Sequence, residues 1–497
     1  MPSAVAHPDV VSAFVTNEHR LNRILGPLPE SVARLVQCNR LGVVPKGHTP
    51  GKWRLITDLS FPSGRSVNDG IDPTLCSLSY VSVDTVSAIV SALGTGSLLA
   101  KIDIEAAYRL VPVHPDDRPL LGLRWNGEVY CDAMLPFGLR SAAKIFNALA
   151  DALEWTIRQK GATHIAHYLD DFVIVGAPDS SQCADSLNVV TSTCRELGVP
   201  LSTAKCEGPT TRLTFLGIEL DTMAGTLRLP SDKLSRVQAV LQAWGDKKTC
   251  LRRELESLVG LLHHACKVVR PGRAFCRRMI NLLSGASRGH HRIRLGREFR
   301  ADLAWWRMFV AQWNGIGLAP SVCVRSMPPL YTDASGSWGC GASWNQHWFQ
   351  LKWDERSQSL PITVKEMLPI VISAAIWGPQ WRAAKQVACC CDNAAVVAAL
   401  SSRSCKVEHI MHLMRCLFYV EAYHEFTLHC THLPGSLNTV ADALSRNALP
   451  SFRLQMQEAD PLPYALLPRL IDALLRKDLD WLSPTWTAHF TFITRKD

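Results

Sequence analysis

The sequence predicts an α+β chain with more than one domain, and three stretches with different apolar patterns support this prediction. Short apolar runs of strand type, separated by turn residues, occupy much of residues 41–225, whereas apolar residues at helical spacing dominate residues 226–324. Residues 325–447 alternate between strand-like and helix-like runs. Residues 1–40 look helical, and residues 448–497 form a tail with one short amphipathic helix. A length of 497 residues fits such a division, at ~150 residues for each domain.

Composition places the chain among globular proteins. Hydrophobic residues make up 47% and charged residues 20% of the sequence. We find no uninterrupted apolar run long enough to cross a bilayer, and the start MPSAVAHPDVVSAF lacks the pattern of a signal peptide. The 17 cysteines are scattered without any CxxC spacing, which predicts reduced thiols in an intracellular protein. Nuclear or cytoplasmic residence stays open.

The positive charge is concentrated in one segment. The chain carries 53 Lys and Arg against 44 Asp and Glu, a net charge of +9. Residues 252–300 alone hold 12 basic and 3 acidic residues, so the remainder is balanced. This excess predicts a surface for a polyanion, with a solvated helical face as the alternative.

The stretch HIAHYLDDFVIVG, residues 164–176, has an apolar run on each side of Asp170 and Asp171. This pattern predicts a β-hairpin with two adjacent carboxylates at its tip. An ordinary Asp-containing turn is one explanation, and a metal site is the other, because adjacent carboxylates repel each other unless a cation lies between them. Oxygen ligands suit Mg²⁺. Asp103, near the end of a predicted strand from Leu98 to Ile104, is a candidate third carboxylate.

Three further features surround these acids in the sequence. A Gly- and Pro-rich loop carries Lys46 and Lys52 and is followed by Arg54, and such cations are the usual partners of phosphates. Tyr108 follows Asp103 by five residues and could pack in the core or form the floor of a nucleotide pocket. Phe137 lies in a turn before a predicted helix, for which Ser141 is a plausible N-cap.

Six blocks in this order resemble the fingers and palm of a retroelement reverse transcriptase, over about residues 40–220. The blocks are the basic loop with Arg54 and Asp58, KIDIEAAY, LPFGLRSAAKIF, YLDD, Lys205 in STAKCE, and FLG at residues 215–217. The resemblance implies a right-hand polymerase fold, with fingers and palm at 41–225 and a helical thumb and connection at 226–324. The basic helices of the latter would then grip the template–primer backbone.

The resemblance also implies roles for single residues. Asp103, Asp170 and Asp171 match the catalytic acids that hold two Mg²⁺ ions, with Mn²⁺ as an alternative metal. Lys46 and Arg54 match the basic pair on the dNTP phosphates, a role for which Lys52 competes. Tyr108 matches the aromatic gate against a ribose 2′-OH, and Lys205 belongs to the same dNTP-binding set. Phe137 departs from the glutamine of retroviruses and is common in LTR-type elements.

Four acids and a histidine mark the domain predicted at 325–447. Asp333 follows a strand-like run, Glu366 lies in a predicted helix, Asp392 ends a strand, and His432 precedes Asp442 by ten residues. Thr363 and Glu366 also form a capping-box pattern, which is a purely structural reason for Glu366. In their strand–helix–strand–helix order the acids resemble those of RNase H, an α/β domain with a mixed sheet. That resemblance implies two metal ions, phosphodiester hydrolysis at Asp333, Glu366, Asp392 and Asp442, and a proton-transfer or product-release role for His432.

One group of metal-type ligands is better explained by packing. Cys405, His409, His412 and Cys416 lie at helical spacing on one predicted face. A straight helix cannot wrap four ligands around one ion, since the first and last would lie ~16 Å apart.

The blocks KEMLPIVISAAIWG and HLPGSLNTVADALSR most resemble DIRS-type retrotransposons, in which a tyrosine recombinase replaces the integrase. The implied function is RNA-directed DNA synthesis with RNase H activity, and the implied partners are an RNA template, a DNA primer, the RNA–DNA hybrid and dNTPs, without a membrane. A recombinase encoded downstream is a further implied partner. Two alternatives stay open: a decayed or domesticated copy that binds nucleic acid without catalysis, and an RNA-templated RNA polymerase, which Tyr108 and the attached nuclease disfavour.

Overall fold

The computed structural model describes residues 1–45, 51, 53–285, 289–312, 314, 316–317, 327–382, 386–466 and 468–475. The protein is mixed helix and sheet, as the apolar patterns predict. It divides into two compact units. Unit 1 comprises Met1–Leu216 and Leu220–Gly225, and unit 2 comprises Gly217–Glu219 and Thr226–Asp497. The finer domain boundaries given above stay predictions.

Unit 1 contains six α-helices and ten strands within its described residues, and strand β11 (Ile218–Asp221) lies where the chain passes between the units. The helices are α1 (Pro2–Ala6), α2 (Pro8–Arg20), α3 (Glu30–Ala33), α4 (Val83–Leu93), α5 (Ala142–Gln159) and α6 (Gln182–Glu196). The strands are β1 (Ile24–Leu25), β2 (Cys38–Pro45), β3 (Trp53–Asp58), β4 (Leu98–Asp103), β5 (Gly122–Trp125), β6 (Glu128–Asp132), β7 (Ile165–Tyr168), β8 (Asp171–Gly176), β9 (Glu207–Thr210) and β10 (Arg212–Phe215).

Two sheets organise unit 1. One has the order β1-β6-β5-β2-β3, so the first 40 residues contribute a strand as well as the predicted helices. The other has the order β7-β8-β4-β9 and contains the predicted hairpin, with β7 and β8 antiparallel. Helices α5 and α6 cover one face of this second sheet, because α5 buries Phe146, Ala150, Leu153 and Ile157 at helical spacing against β4 and β8. Ser141 occupies the predicted N-cap position of α5.

Unit 2 begins with helices and small sheets and continues into a larger sheet. The helices are α7 (Ser231–Ala243), α8 (Arg252–Ala265), α9 (Arg277–Ser284), α10 (Arg297–Phe309), α11 (Glu355–Gln358), α12 (Ile362–Trp381), α13 (Ala394–Ser402), α14 (Glu408–His424), α15 (Thr439–Ser445), α16 (Leu449–Gln455) and α17 (Pro468–Leu475). The strands are β12 (Thr226–Arg228), β13 (Thr249–Leu251), β14 (Arg292–Arg294), β15 (Ile316–Gly317), β16 (Leu330–Ala334), β17 (Gly339–Trp344), β18 (His347–Lys352), β19 (Gln386–Cys391) and β20 (Thr427–His432).

The large sheet of unit 2 has the order β18-β17-β16-β19-β20. β18, β17 and β16 are antiparallel neighbours, whereas β16, β19 and β20 run parallel. Connections between the parallel strands pass through helices, as such crossovers require. The sheet is therefore mixed, and the carboxyl ends of β16 and β19 lie at the same edge.

Helix α12 is largely buried in unit 2, as is α14, which packs against it. By length and composition α12 is the one helix in the described part of the chain that could cross a membrane. Of its most apolar window, 83% is buried inside the protein, which is what the core helix of a folded domain also shows. Three buried tryptophans at or beside it, Trp344, Trp377 and Trp381, contribute to this core.

Two local predictions are wrong. Helix α12 starts after Pro361, and neither Thr363 nor Glu366 makes a capping hydrogen bond, so the capping box does not form. Glu366 lies beyond the first turn of α12, and its side chain is buried rather than placed at the helix end. Cys405 precedes α14 and therefore does not share a helical face with His412 and Cys416. The latter two are buried and 3.7 Å apart, in agreement with packing.

Candidate active sites

The first candidate site lies at the tip of the β7–β8 hairpin in unit 1. Leu169 takes a positive φ of 54° in the turn, and Asp171 begins β8. The register of β4 and β8 sets Asp103 directly opposite Asp171. The backbone N–H of Ile104 donates to the carbonyl of Asp170 at 3.1 Å, which ties the turn to the end of β4. Three acids separated by up to 68 positions in sequence thus meet at one sheet edge.

Strand alternation explains why these acids face away from the core. Ile102 and Phe172 belong to the cluster under α5 and α6. Their neighbours Asp103 and Asp171 therefore point to the other face. A pocket of about 460 Å³ opens there, lined in part by Asp103, Asp171 and Lys205.

A lysine compensates part of the negative charge. Lys205 Nζ donates to both carboxylate oxygens of Asp103, at 2.9 and 2.8 Å. Burial, followed by the charges of Asp170 and Asp103, raises the pKa of Asp171 to about 6. Burial also raises the pKa of Asp170, and the positive charges of Lys205 and Arg54 oppose that rise.

The donor set fits divalent cations. Asp103 and Asp171 line one open pocket, and Asp170 lies beside them in the hairpin turn; burial first, and then neighbouring acids, raise the pKa values of Asp170 and Asp171. Hard oxygen ligands of this kind suit Mg²⁺. Asp103, Asp170 and Asp171 are the residues that would hold it.

The predicted nucleotide-contacting residues are placed as follows. The ring centroid of Tyr108 lies 5.0 Å from that of Phe137 and 5.6 Å from that of Phe146. Tyr108 therefore packs between a core residue, Phe146, and the more exposed Phe137. Phe137 is 49% exposed. Arg54 lies in β3 and contributes positive potential at Asp170. Lys46 and Lys52 lie outside the described residues.

The second candidate site lies at the sheet edge in unit 2. Asp333 is in β16, Asp392 directly follows β19, Glu366 projects from α12, and Asp442 lies in α15. Pairing of β16 with β19 brings the first two together. Asn438 donates from its buried amide to the carbonyl of Thr332 at 2.9 Å, which fixes the start of α15 against β16. All four predicted acids therefore belong to elements that meet at one edge.

The second site is more deeply buried than the first. Burial, then the charges of Asp333, Cys391 and Asp392, raises the pKa of Glu366 to about 10. Burial raises the pKa of Asp333 to about 6, and the charges of Asp392 and Asp442 add to this rise. Among the described residues, Glu366 Oε2 has no hydrogen-bond partner although it is buried. An unpartnered carboxylate oxygen among acids fits a divalent cation, which Asp333, Glu366, Asp392 and Asp442 would hold.

His432 lies near this site, beside the backbone of Asp392. It ends β20, is exposed, and its Nε2 lies 3.1 Å from the backbone carbonyl of Asp392.

The structure adds residues to the second site that the sequence patterns did not identify. The Ser445 hydroxyl donates to Asp333, and Arg446 Nε lies 2.6 Å from Asp442 Oδ1. Cys391 lies close to the acids as well, since its Sγ and carboxylate oxygens of Glu366 and Asp392 lie within 4.8 Å of one another. Proximity to Asp442 and Asp392 in the sequence was the only available signal for these residues.

The fold and the three-acid site at a β-hairpin define a polymerase-type α+β protein. A solved structure, "Structure of the foamy viral protease-reverse transcriptase in complex with RNA/DNA hybrid", aligns with 94% of this chain and 57% of its own, with a TM-score of 0.50 and 16% sequence identity. At that identity the likeness establishes the fold, and it confirms the predicted fold class.

Sequence comparisons indicate which kind of polymerase the chain resembles. Residues 44–220 match the family model described as "Reverse transcriptase (RNA-dependent DNA polymerase)". The Transposon Tf2-3 polyprotein of Schizosaccharomyces pombe is 21% identical over 442 residues, which are 84% of this chain and 29% of that polyprotein. Polyprotein P3 of Commelina yellow mottle virus is 24% identical over 184 residues, 37% of this chain and 9% of its own length. The chain thus spans less than a third of these curated relatives. Residues 44–220 thus resemble a reverse transcriptase domain, and the similar proteins are retrotransposon and viral polyproteins.

Proposed function

We propose that the chain is an RNA-directed DNA polymerase with RNase H activity, which copies retrotransposon RNA into DNA and degrades the RNA strand of the resulting hybrid. The observation that carries the polymerase half is the convergence of Asp103, Asp170 and Asp171 at one sheet edge, beside a pocket that Asp103 and Asp171 line, inside a segment that matches the reverse transcriptase family. The Tf2 relatives and the foamy viral structure support a retroelement source.

In the first site, the acids of the hairpin and of β4 hold the cations. Two bound Mg²⁺ ions would supply activation of the primer 3′-OH and charge neutralisation at the dNTP triphosphate. Lys205 balances the charge of Asp103, and its ammonium would be available to a phosphate if a cation were held by Asp103. Arg54 and Lys46 contribute positive charge to the triphosphate, and Tyr108 excludes the 2′-OH of a ribonucleotide with its ring.

In the second site, Asp333, Glu366, Asp392 and Asp442 hold cations for hydrolysis of the RNA strand. Ser445 and Arg446 orient Asp333 and Asp442 through their hydrogen bonds. His432 is exposed beside Asp392, where it can exchange protons with solvent and the leaving strand. Selection of RNA would rest on 2′-OH contacts and on the shape of the hybrid.

The retroelement assignment can be made finer. The two blocks KEMLPIVISAAIWG and HLPGSLNTVADALSR support a DIRS-type element, whose tyrosine recombinase would then be encoded elsewhere in the element. The competing proposal is a domesticated copy that binds nucleic acid without catalysis. The seven intact acids in two converging sites favour the enzyme.

The test of the polymerase is dNTP incorporation on a primed RNA template with Mg²⁺. We expect extension by the parent chain and a loss of at least about 10³-fold in Asp170→Asn, because one lost metal ligand removes several kcal/mol of transition-state stabilisation. Asn keeps the side-chain volume, and folding of both proteins is checked by circular dichroism. A folded parent chain that extends no primer would contradict the proposal and favour the domesticated copy.

A further inference from the structure

Arg109 lies at the centre of a buried charged cluster in unit 1. Its Nε donates to Glu18 at 2.9 Å, and its Nη1 donates to Asp132 at 2.6 Å and to the carbonyl of Met134 at 3.1 Å. Its Nη2 donates to the carbonyl of Arg23 at 3.4 Å. Glu18, Arg109 and Asp132 are 5%, 6% and 4% exposed. A buried guanidinium that uses all three nitrogens fixes the backbone that carries it, because these charge-assisted bonds must break together before it can move.

The members of this Arg109 cluster come from three separate elements. Glu18 lies in α2, Asp132 ends β6, and Arg109 lies in the 3₁₀ turn Ala107–Leu110. Helix α2 lies outside residues 44–220, which match the reverse transcriptase family, whereas the turn lies inside them. The cluster therefore ties a part of the chain beyond the family match to a turn within it.

The same turn carries Tyr108, whose ring packs against those of Phe137 and Phe146. A 3₁₀ turn has poorer hydrogen-bond geometry than an α-helix. Ala106, directly before the turn, takes a positive φ of 54°, which a residue other than glycine seldom adopts. Such a conformation persists where the surrounding structure imposes it. The Arg109 side chain supplies that constraint next to Tyr108.

The segment that carries Phe137 is anchored to the same arginine. Its residues 133–135 pair with residues 111–113 after the turn, through backbone hydrogen bonds of 2.9 and 2.8 Å. Arg109 binds Asp132 directly before this paired stretch. The two segments that carry the packed aromatic rings are therefore held together at one buried side chain.

We propose that Glu18 and Asp132 are positioning residues for sugar selection, which act through Arg109 to hold the ring of Tyr108 where it excludes the 2′-OH of a ribonucleotide. Both acids are buried, so they act without touching the substrate. A displacement of ~1 Å matters for such a steric contact. The inference rests on the proposed polymerase function, and it assigns a role in that function to helix α2.

Sugar selection is measured as the ratio of kcat/KM for a dNTP to kcat/KM for the matching ribonucleotide, with the full chain on one primed RNA template. We expect Glu18→Gln and Asp132→Asn each to lower this ratio by at least about fivefold, because a neutral amide holds the guanidinium less firmly than a carboxylate. A smaller fraction of folded protein would lower both efficiencies equally and leave the ratio unchanged.

The matched control is Glu30→Gln, which removes an acid from an exposed ion pair with Arg34 in the same N-terminal part of the chain. We expect it to keep the ratio of the parent. Because Glu18 and Asp132 lie on different elements, a variant that fails to fold by circular dichroism leaves the other to decide. A parental ratio in the folded variants would overturn the inference.

The action through Tyr108 is tested by combining substitutions. Tyr108→Ala should lower the ratio further than Glu18→Gln does. Adding Glu18→Gln to Tyr108→Ala should change the ratio by less than about twofold, since no ring remains to be positioned. Independent, multiplying effects of the two substitutions would contradict a positioning role for Glu18.

Hydrogen exchange tests the hold on the turn without catalysis. Within the turn, the N–H groups of Arg109 and Val111 donate to the carbonyls of Ala106 and Tyr108. Peptides that span them should exchange at least about tenfold faster in Glu18→Gln than in the parent or in the Glu30→Gln control. Unchanged exchange would overturn the inference.

The two readouts separate this inference from the proposed function. Faster exchange in Glu18→Gln, together with a folded parent that incorporates no nucleotide, would contradict the polymerase and its sugar selection and leave the structural hold of the Arg109 cluster standing. Primer extension by all proteins with unchanged exchange and an unchanged ratio would contradict the positioning role alone.

Discussion

The two acid clusters differ in what compensates their negative charge. In the first cluster, Lys205 contacts both oxygens of Asp103. In the second, Arg446 pairs with Asp442, but no cation contacts Glu366 among the described residues, and burial among acids raises its pKa to about 10. Burial among acids therefore favours a proton on Glu366 far more than on Asp171, whose pKa rises only to about 6. Two sites with similar ligands can thus differ in how protons compete with metal.

The difference has a local cause in each fold. Asp103 and Asp171 lie at an open sheet edge. The half-exposed Lys205, from the 3₁₀ turn Thr203–Lys205, reaches Asp103 there. Glu366 projects from α12, the helix that is buried on nearly all sides. A long cationic side chain at that position would have to be buried with it, which costs several kcal/mol unless fully paired.

The largest expected effect is on the pH dependence of stability in unit 2. Glu366 has a folded pKa above its unfolded value of 4.5, so the folded state retains a proton that the unfolded state releases. Stability therefore falls as pH rises from about 4.5 to about 10, by up to about 1.4 kcal/mol per pH unit. We expect Glu366→Gln to flatten this decline in the presence of EDTA.

Denaturant titrations followed by tryptophan fluorescence measure this decline, since Trp305, Trp306, Trp377 and Trp381 are buried in unit 2. The matched control is Asp171→Asn in the first cluster, where the pKa of about 6 confines any difference from the parent to acidic pH. If the free energy of unfolding changed with pH in the same way in the parent and in Glu366→Gln between about pH 6 and about pH 9, the proposed difference between the two acid clusters would be wrong.

A smaller effect is expected at the first cluster. Lys205 competes with a cation for Asp103, so Lys205→Met should lower the Mg²⁺ concentration at half-maximal primer extension, by up to about fivefold. The maximal rate should fall at the same time, because the ammonium no longer serves the triphosphate.

The Mg²⁺ dependence of primer extension measures both quantities separately. Lys205→Arg, which retains the charge, is the control and should keep the Mg²⁺ requirement of the parent. A higher requirement in Lys205→Met would mean that the lysine assists metal binding, and the contrast with the second cluster would then need another cause.

Much of the fold and of both sites was predictable from the sequence. Acids at or directly after the end of a strand, such as Asp103 and Asp392, combine two local signals, an apolar run and a carboxylate beside its end. The predicted hairpin and the helix after Ser141 also rest on local patterns, and both are present. These features depend on residues close together in the chain, which is why pattern and structure agree.

Features that depend on tertiary register were not predictable. The placement of Cys430 beside Cys389 follows from the pairing of β19 with β20, which no spacing in the sequence reveals. Glu366 shows the reverse case, in which a local pattern predicted a feature that does not form. The sequence contains a capping-box pattern, but Glu366 is buried and makes no capping hydrogen bond. The ion pair of Lys205 with Asp103 joins residues 102 positions apart and likewise needed the fold.

The most direct test of the account exchanges one acid in each site and measures both activities on the same preparations. We predict that Asp171→Asn loses primer extension by at least about 10³-fold and retains hydrolysis of the RNA strand, and that Asp392→Asn does the reverse. Each variant is thereby the folding control for the other. If either substitution removed both activities at unchanged stability, two independent metal-dependent sites would be the wrong description of this protein.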